Sequence, residues 1–345
     1  MSASQLEETG VEVAKLPHEW SVWLAENRLA GTQDDILVST LIEANFEPAA
    51  ASAAIASLDE DPVYLVARRA TQQLRKLQST LDIRRTLSDI AFPAASIERR
   101  TDVTPTEFLE RYYSANRPVI LSAILGTSRA CQSWTPEYLA QLCGDARVEI
   151  MAERNSDAEY EVNANSHKRY VTMAEYVRMV TEGGPSNDYY LVANNGFLDL
   201  PETQRLRAEV PQLPEFLDPA NAQRKIFFWF GPGGTVTPLH HDIMNIFAAQ
   251  VLGRKRFTLI PPEQTAFVYN KVGVFGEVDC RNPDYTHHPL YAQATPIEVI
   301  IEPGDILFIP VGWWHYVEGL ETSIMISYIN FRFPNEFTWN NPSIL

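Results

Sequence analysis

Hydrophobic and polar positions follow two different periods along this chain. Through residue 95 the apolar residues recur at intervals of three and four, the spacing of one helix face. Pro17 opens a pattern with Trp20, Trp23 and Leu24 on one side, and Gly31 closes it. Thr32 is placed to cap a second helix carrying Ile36, Leu37, Leu41 and Ile42. An alanine-rich helix follows Pro48. Pro62 then opens a long one with Leu65, Leu74, Leu77 and Leu81 in phase. "AFPAAS" (Ala91–Ser96) reads as a linker, so the expected division is 1–95, helical and of unassigned role, and 96–345, a second domain. Thr104, Thr135 and Thr172 each start a short helix with capping chemistry; Glu107 and Glu175 complete the capping-box pattern at the first and third.

From about Asp188 the period shortens. "YYLVAN", "KIFFWF", "NIFAAQVLG", "KRFTLI", "IEVIIE", "DILFIP" and "SIMISYINFRF" are β-branched and aromatic runs bounded by Gly and Pro. Many short strands without intervening helices predict a sandwich or barrel. "GPGGTVT" (Gly231–Thr237) joins two of them and reads as a bent connection.

Composition narrows the function classes. The 345 residues are 45% hydrophobic, enough for a sizeable core, and the formal net charge is −16. That charge opposes a phosphate backbone, so nucleic acid is not an expected partner. The basic residues Arg68, Arg69, Arg75, Lys76, Arg84 and Arg85 read as a solvated helix face. The three cysteines, Cys131, Cys143 and Cys280, are dispersed and form no C-x-x-C, which excludes a cysteine zinc site and a disulfide framework. No basic-then-apolar leader and no membrane-length apolar run is present, so a cytoplasmic protein is expected, with no membrane partner. No P-loop, G-x-S-x-G or dinucleotide fingerprint occurs in a fitting strand–turn–helix context.

The unusual stretch is "TPLHHDIMNIFAAQVLGRKRF" (Thr237–Phe257), where polar groups interrupt a strand pattern. His240 and Asp242 are two apart, so a strand aims both to one face and His241 to the other. His315 lies far downstream in "PVGWWHYV". Two neutral imidazoles and one carboxylate form the facial triad of non-haem Fe(II) oxygenases. Lys255 ends a strand that runs inward, and a buried lysine demands an anion.

These residues carry a resemblance. "TPLHHDIMNIFAAQVLGRKRFTLIPPEQ" and "PGDILFIPVGWWHYVEGLETSIMISYINF" resemble the JmjC/cupin-like 2-oxoglutarate oxygenases. Among these they resemble the bacterial relatives of the asparaginyl hydroxylase of hypoxia-inducible factor. The likeness runs from about Ile97 to Phe333 and leaves out the N-terminal helices. It implies a mainly β double-stranded β-helix (jelly roll) with flanking helices beside the N-terminal helical region. It implies Fe(II), 2-oxoglutarate and O₂ as cofactor and co-substrates. His240, Asp242 and His315 match the catalytic iron ligands. Lys255 and Tyr190 match the residues on the distal carboxylate of 2-oxoglutarate, and Thr237, Asn245 and Asn330 match polar residues near it. Asn194 matches a substrate-pocket position. The family member carries a C-terminal helical dimerisation segment where this chain ends, so a homodimer would form differently.

The resemblance also implies an oxygenase that hydroxylates an amino-acid side chain in a protein or peptide. An N-methyl demethylase and a hydroxylase of a free amino acid or small metabolite use the same chemistry. A Zn or Mn cupin isomerase and a non-catalytic binding module are the readings from other classes. Trp313 and Trp314 are expected to pack the barrel mouth and His241 the opposite strand face. His167 is expected near the site mouth or in solvent, and His287 and His288 in a turn.

Overall fold

Helix signals and strand signals segregate into two compact units, residues 1–84 and 85–345. The computed structural model describes residues 16–91, 96–193 and 195–339. In the first unit, α1 (His18–Ala30), α2 (Asp34–Glu43) and α3 (Pro48–Leu58) enclose Leu24, Leu37, Leu41, Ala51 and Ile55. Gly31 ends α1 at φ 102°, a left-handed conformation that glycine adopts without steric cost. Thr32 does not cap α2: Gln33 precedes that helix, and the Thr32 amide closes α1 on the Asn27 carbonyl instead. Asp34 and Asp35 in the first turn supply the negative charge that a capping hydroxyl lacks. A long helix follows, α4 (Pro62–Ala91). The division between units falls inside α4, and positions 92–95 of the expected linker lie outside the described residues.

The second unit is a two-sheet sandwich. Its strands are β1 (Glu98–Arg100), β2 (Val119–Leu121), β3 (Arg147–Met151), β4 (Lys168–Thr172), β5 (Ile226–Gly231), β6 (Val236–His241) and β7 (Ile246–Leu252). They continue with β8 (Lys255–Ile260), β9 (Asn270–Val272), β10 (Phe275–Gly276), β11 (Ile297–Ile301), β12 (Ile306–Ile309), β13 (Trp314–Gly319) and β14 (Ser323–Tyr328). One sheet runs β1-β2-β12-β7-β14-β5 and the other β11-β8-β13-β6-β10-β9, with β3-β4 a separate ladder. β5 to β8, and again β11 to β14, alternate between the facing sheets, which is the double-stranded β-helix that the resemblance implied.

Side-chain alternation divides the apolar residues into layers. Phe228, Phe230, Phe247, Phe308 and Ile326 face outward from the first sheet. They pack with Phe108 and Tyr112, which follow the short helix α5 (Pro105–Glu107), and with α6 (Arg129–Ser133), α7 (Pro136–Cys143), α8 (Met173–Glu182) and α9 (Gln204–Glu209). Ala248, Phe257, Leu259, Leu307, Ile309, Val317 and Met325 fill the space between the sheets. Leu239, Ile260, Trp314 and Tyr316 pack on the outside of the second sheet.

The Thr172 capping box is complete, with Thr172 and Glu175 each bonding the other's backbone amide. The Thr104 one is half made: its hydroxyl accepts from Glu107, but the Glu107 carboxylate bonds Arg100 and Arg111, both at 2.9 Å. "YYLVAN" forms only two isolated bridges, Met151–Tyr190 and Leu191–Phe230, rather than a strand. "WHYVEG", absent from the expected strands, forms a fully buried one at the centre of the second sheet. Among the described residues no helix is long and apolar enough to cross a membrane.

Candidate active site

The sandwich interior opens at one end into a cavity of about 550 Å³. Thr237, His240 and Asp242 all line it, which simple strand alternation forbids for Thr237 and His240. The register explains this. His315 pairs with His240 and Val317 with Thr237, so between these pairs one residue of β13, Tyr316, faces two of β6, Pro238 and Leu239. That extra residue is a β-bulge, and it returns Thr237 to the inner face. Pro238 sits in the bulge, where its missing N–H removes no regular ladder bond.

His240, Asp242 and His315 offer ligand atoms that all lie within 4.8 Å of one another, a grouping unique to these three among the described residues. The Asp242 carbonyl accepts from the Gly312 amide at 3.1 Å, which ties the end of β6 to the turn before β13. Gly312 has φ 81°, a conformation that disfavours a side chain. His240 Nδ1 contacts the Pro238 carbonyl at 2.8 Å and His315 Nδ1 the Trp313 carbonyl at 3.0 Å. A carbonyl only accepts, so both Nδ1 atoms carry the proton and both Nε2 lone pairs are left for a metal. Burial, reinforced by His315, lowers the His240 pKa to about 4, which keeps that imidazole neutral. Burial alone would raise Asp242. The His315 contact at 3.4 Å and the other imidazoles outweigh it and hold the carboxyl below its usual range. One anionic oxygen and two neutral nitrogens on one face, beside open space, fit a divalent iron centre.

A second polar site lies in the same cavity. Lys255 is the first residue of β8, 1% exposed, and points inward with Phe257 while Arg256 points out. Its ammonium contacts the Tyr190 hydroxyl and lies 5.0 Å from the Tyr190 ring and 5.7 Å from the Trp229 ring. No carboxylate pairs with it among the described residues. Burial, with Arg154 adding to it, lowers its pKa to about 7. Tyr190 reaches this place through close approach to Gly231, where a Cβ would meet the ring at 2.6 Å. Tyr189 turns away, as alternation requires, and bonds the Met179 carbonyl at 2.7 Å.

Two of the expected co-substrate residues are elsewhere. Asn245 does not line the cavity: its carboxamide bonds Asn335 and receives the Val311 amide at 2.8 Å. It ties β7 to the chain beyond β14. Asn330 donates to the Asp218 carbonyl at 2.9 Å, on the side of the strand away from the cavity, which Ser327 and Ile329 line. Asn194 lies outside the described residues. His167 neither reaches the cavity nor faces solvent; it is buried between the Ala152 carbonyl and Asp157. Trp313 and Trp314 are packed, their indoles bonded to Asn116 and Thr265. His241 packs edge-to-face between Trp314 and Trp339 on the outer face. His287 sits in a turn with Asp284.

Two contributors escaped the sequence reading. Trp229 walls the lysine, and the inward alternation of β5 could have found it. Arg154 is fully buried, bonds the Val236 carbonyl at 2.6 Å and Glu161 at 3.1 Å, and lies 5.4 Å from the Tyr190 ring. It follows a left-handed Glu153 in a short turn, and no sequence pattern marks it.

A jelly roll with a two-histidine, one-carboxylate face and a buried lysine in one cavity defines a class of metal-dependent cupins. Comparison with known proteins is consistent: the cupin-like domain model matches residues 105–337, and the chain belongs to that family. It is 29% identical over 229 residues to Lysine-specific demethylase 8 of Xenopus tropicalis, covering 64% of this chain and 49% of that protein. The protein of the same name from Danio rerio is 31% identical over 235 residues, covering 64% and 55%. The tRNA wybutosine-synthesizing protein 5 of Gallus gallus is 28% identical over 250 residues, covering 68% and 77%. The chain thus spans about half the length of the two demethylase-named relatives. The JmjC/cupin-like resemblance read from the sequence is borne out, and with it a family that works with Fe(II), 2-oxoglutarate and O₂.

Proposed function

We propose that this protein is an Fe(II)- and 2-oxoglutarate-dependent oxygenase that hydroxylates an amino-acid side chain in a protein or peptide. The observation that carries the reading is one cavity holding both a cation-seeking triad and an anion-seeking lysine. His240, Asp242 and His315 would hold the iron. Iron held there would supply, with 2-oxoglutarate and O₂, the oxidation of a substrate C–H bond to C–OH, with succinate and CO₂ as the co-products.

The chain's own residues do the positioning. Pro238 and Trp313 carbonyls orient the two imidazoles. Lys255 and Tyr190 take the distal carboxylate of the diacid, and the Thr237 hydroxyl lies on the same cavity wall. Trp229, Phe257, Val317 and Met325 exclude water around that ion pair, which strengthens it. Binding a dianion favours the charged form of Lys255, so co-substrate binding takes up a proton above about pH 7.

Removal of an N-methyl group is the second reading, supported by the names of the first two relatives. The wybutosine relative raises an RNA substrate, which the net charge of −16 opposes. The test incubates the protein with Fe(II), 2-oxoglutarate, O₂ and peptide libraries, and reads succinate and peptide mass. Gain of one oxygen supports hydroxylation, and loss of one CH₂ replaces it with demethylation. Absence of succinate under every condition sinks the oxygenase reading, provided that iron binding is verified.

A further inference from the structure

The long helix α4 carries a surface that the sandwich chemistry does not use. Val63, Val66, Leu74 and Leu77 are 76%, 58%, 65% and 54% exposed. With Ala70 and Leu81 they repeat at intervals of three, four and four: Val63, Val66 and Ala70, then Leu74, Leu77 and Leu81, each eleven positions on. An eleven-residue repeat, about 3.67 residues per turn, keeps an apolar stripe nearly in line along a helix and serves packing against another helix with a right-handed supercoil. The opposite side of α4 is already engaged. Tyr64 is buried, Arg28 lies 5.8 Å from its ring, and Arg75 donates to the Leu29 carbonyl. The core of α1 to α3 is complete without the stripe.

The charges beside the stripe have one sign. Arg69, Lys76 and Arg84 lie along a single flank at seven- and eight-residue spacing, are exposed, and make no ion pair among the described residues. Between Pro62 and Arg84 there are five basic residues and one acidic one, in a chain of net charge −16. We propose that this face docks an acidic amphipathic helix of a partner protein, with apolar residues in the seam and Glu or Asp along the flank facing Arg69, Lys76 and Arg84.

Charge decides against a second copy. An antiparallel pair centred on Ala70 and Leu74 would set Arg68, Arg69, Arg75 and Lys76 of one helix against the same residues of the other, and like charges facing across a helix pair repel. Shape decides against a bilayer. The stripe is narrow, holds no aromatic residue and has its free cations on one flank, whereas surface-lying helices present a wide apolar face between basic edges. The inference is independent of the catalytic reading.

The experiment uses the full chain and two synthetic helical peptides. Both have leucines at the three-four-four spacing; one is flanked by glutamates and the other by lysines. Fluorescence anisotropy reads binding, anionic phospholipid vesicles are tested in parallel, and sedimentation equilibrium reads self-association. The glutamate peptide is expected to bind and the lysine peptide not to. Salt is expected to weaken the complex, as screening requires. Leu74→Gln with Leu77→Gln should weaken it by at least about tenfold. Both sites are exposed, so the fold is expected to survive, and far-ultraviolet circular dichroism checks this. Arg69→Glu with Lys76→Glu should reverse the preference in favour of the lysine peptide. The proposal fails if the two peptides bind equally, if neither binds, or if only vesicles bind. It fails too if the protein alone is a dimer that Leu74→Gln with Leu77→Gln dissociates.

Discussion

The two polar ends of the cavity are built on opposite electrostatic plans. At the triad, every ligand is oriented by backbone: two carbonyls hold the imidazoles, and the Gly312 amide holds the residue that carries the carboxylate. The charge left over is negative. At the lysine, aromatic rings and one hydroxyl surround an ammonium that has no carboxylate partner among the described residues. The charge left over there is positive, and burial suppresses it. One end is arranged for a cation and the other for an anion. A ligand that is a diacid with a keto group answers both, which is why the pair is more informative than either site alone.

The largest break in this comparison comes from the triad. Asp242→Ala should lower Fe(II) affinity by more than about a hundredfold, since even partners behind a ligand are worth ten- to a hundredfold. Equilibrium dialysis measures it, and unchanged iron binding would remove the metal site from this position. Lys255→Met separates the ends. It should cost about 2–5 kcal/mol of 2-oxoglutarate binding and leave iron binding unchanged. The empty protein should become more heat-stable, because a buried charge without a partner is replaced by an apolar chain. A melting temperature that falls on this substitution would show that the ammonium has a partner in the folded protein.

The pH dependence sharpens the contrast by a smaller amount. Lys255 has a folded-state pKa of about 7 against an ordinary 10.5. Its charged form is disfavoured by folding, so the cost to the empty protein is full below about pH 7 and fades as pH rises towards 10.5. Stability from this group therefore increases with pH. Co-substrate affinity runs the other way, falling by up to about tenfold per unit above pH 7, because the proton must be taken up on binding. Isothermal titration in buffers of different ionisation enthalpy reads the proton uptake. The smallest effect on the site is expected from Asn245→Ala. It should cost about 1–3 kcal/mol of stability by unpairing Asn335 and Val311. It should leave both ligand affinities as they were, and a raised Kd for 2-oxoglutarate would return Asn245 to the site.

Much of the site was legible because its chemistry follows residue type. Strand alternation and the cost of burying charge singled out His240 with Asp242 and the inward Lys255, and the resemblance joined the distant His315 to them. Asn245 and Asn330 were misplaced because an asparagine beside an active strand looks the same whether it faces the cavity or braces the chain behind it. Thr237 was placed on the cavity by resemblance, although its parity with His240 argues the reverse, and only the bulge at Pro238 reconciles them. The isolated bridges of Tyr190 and Leu191 look like a strand in sequence because the residue types are the same.

The sequence by itself determined most of the helix starts and strand runs and the residue types of the donor set, since capping, alternation and ligand chemistry are local or depend on residue type alone; the Thr32 start, "YYLVAN" and "WHYVEG" were the exceptions. The tertiary structure decided which polar groups meet. Register shifts of one residue exchange the inner and outer faces of a strand, and buried partners such as Arg154 act through space with no periodic signature. It also decided that the stripe on α4 is exposed among the described residues, because whether a helix face finds a neighbour depends on packing that no local pattern records.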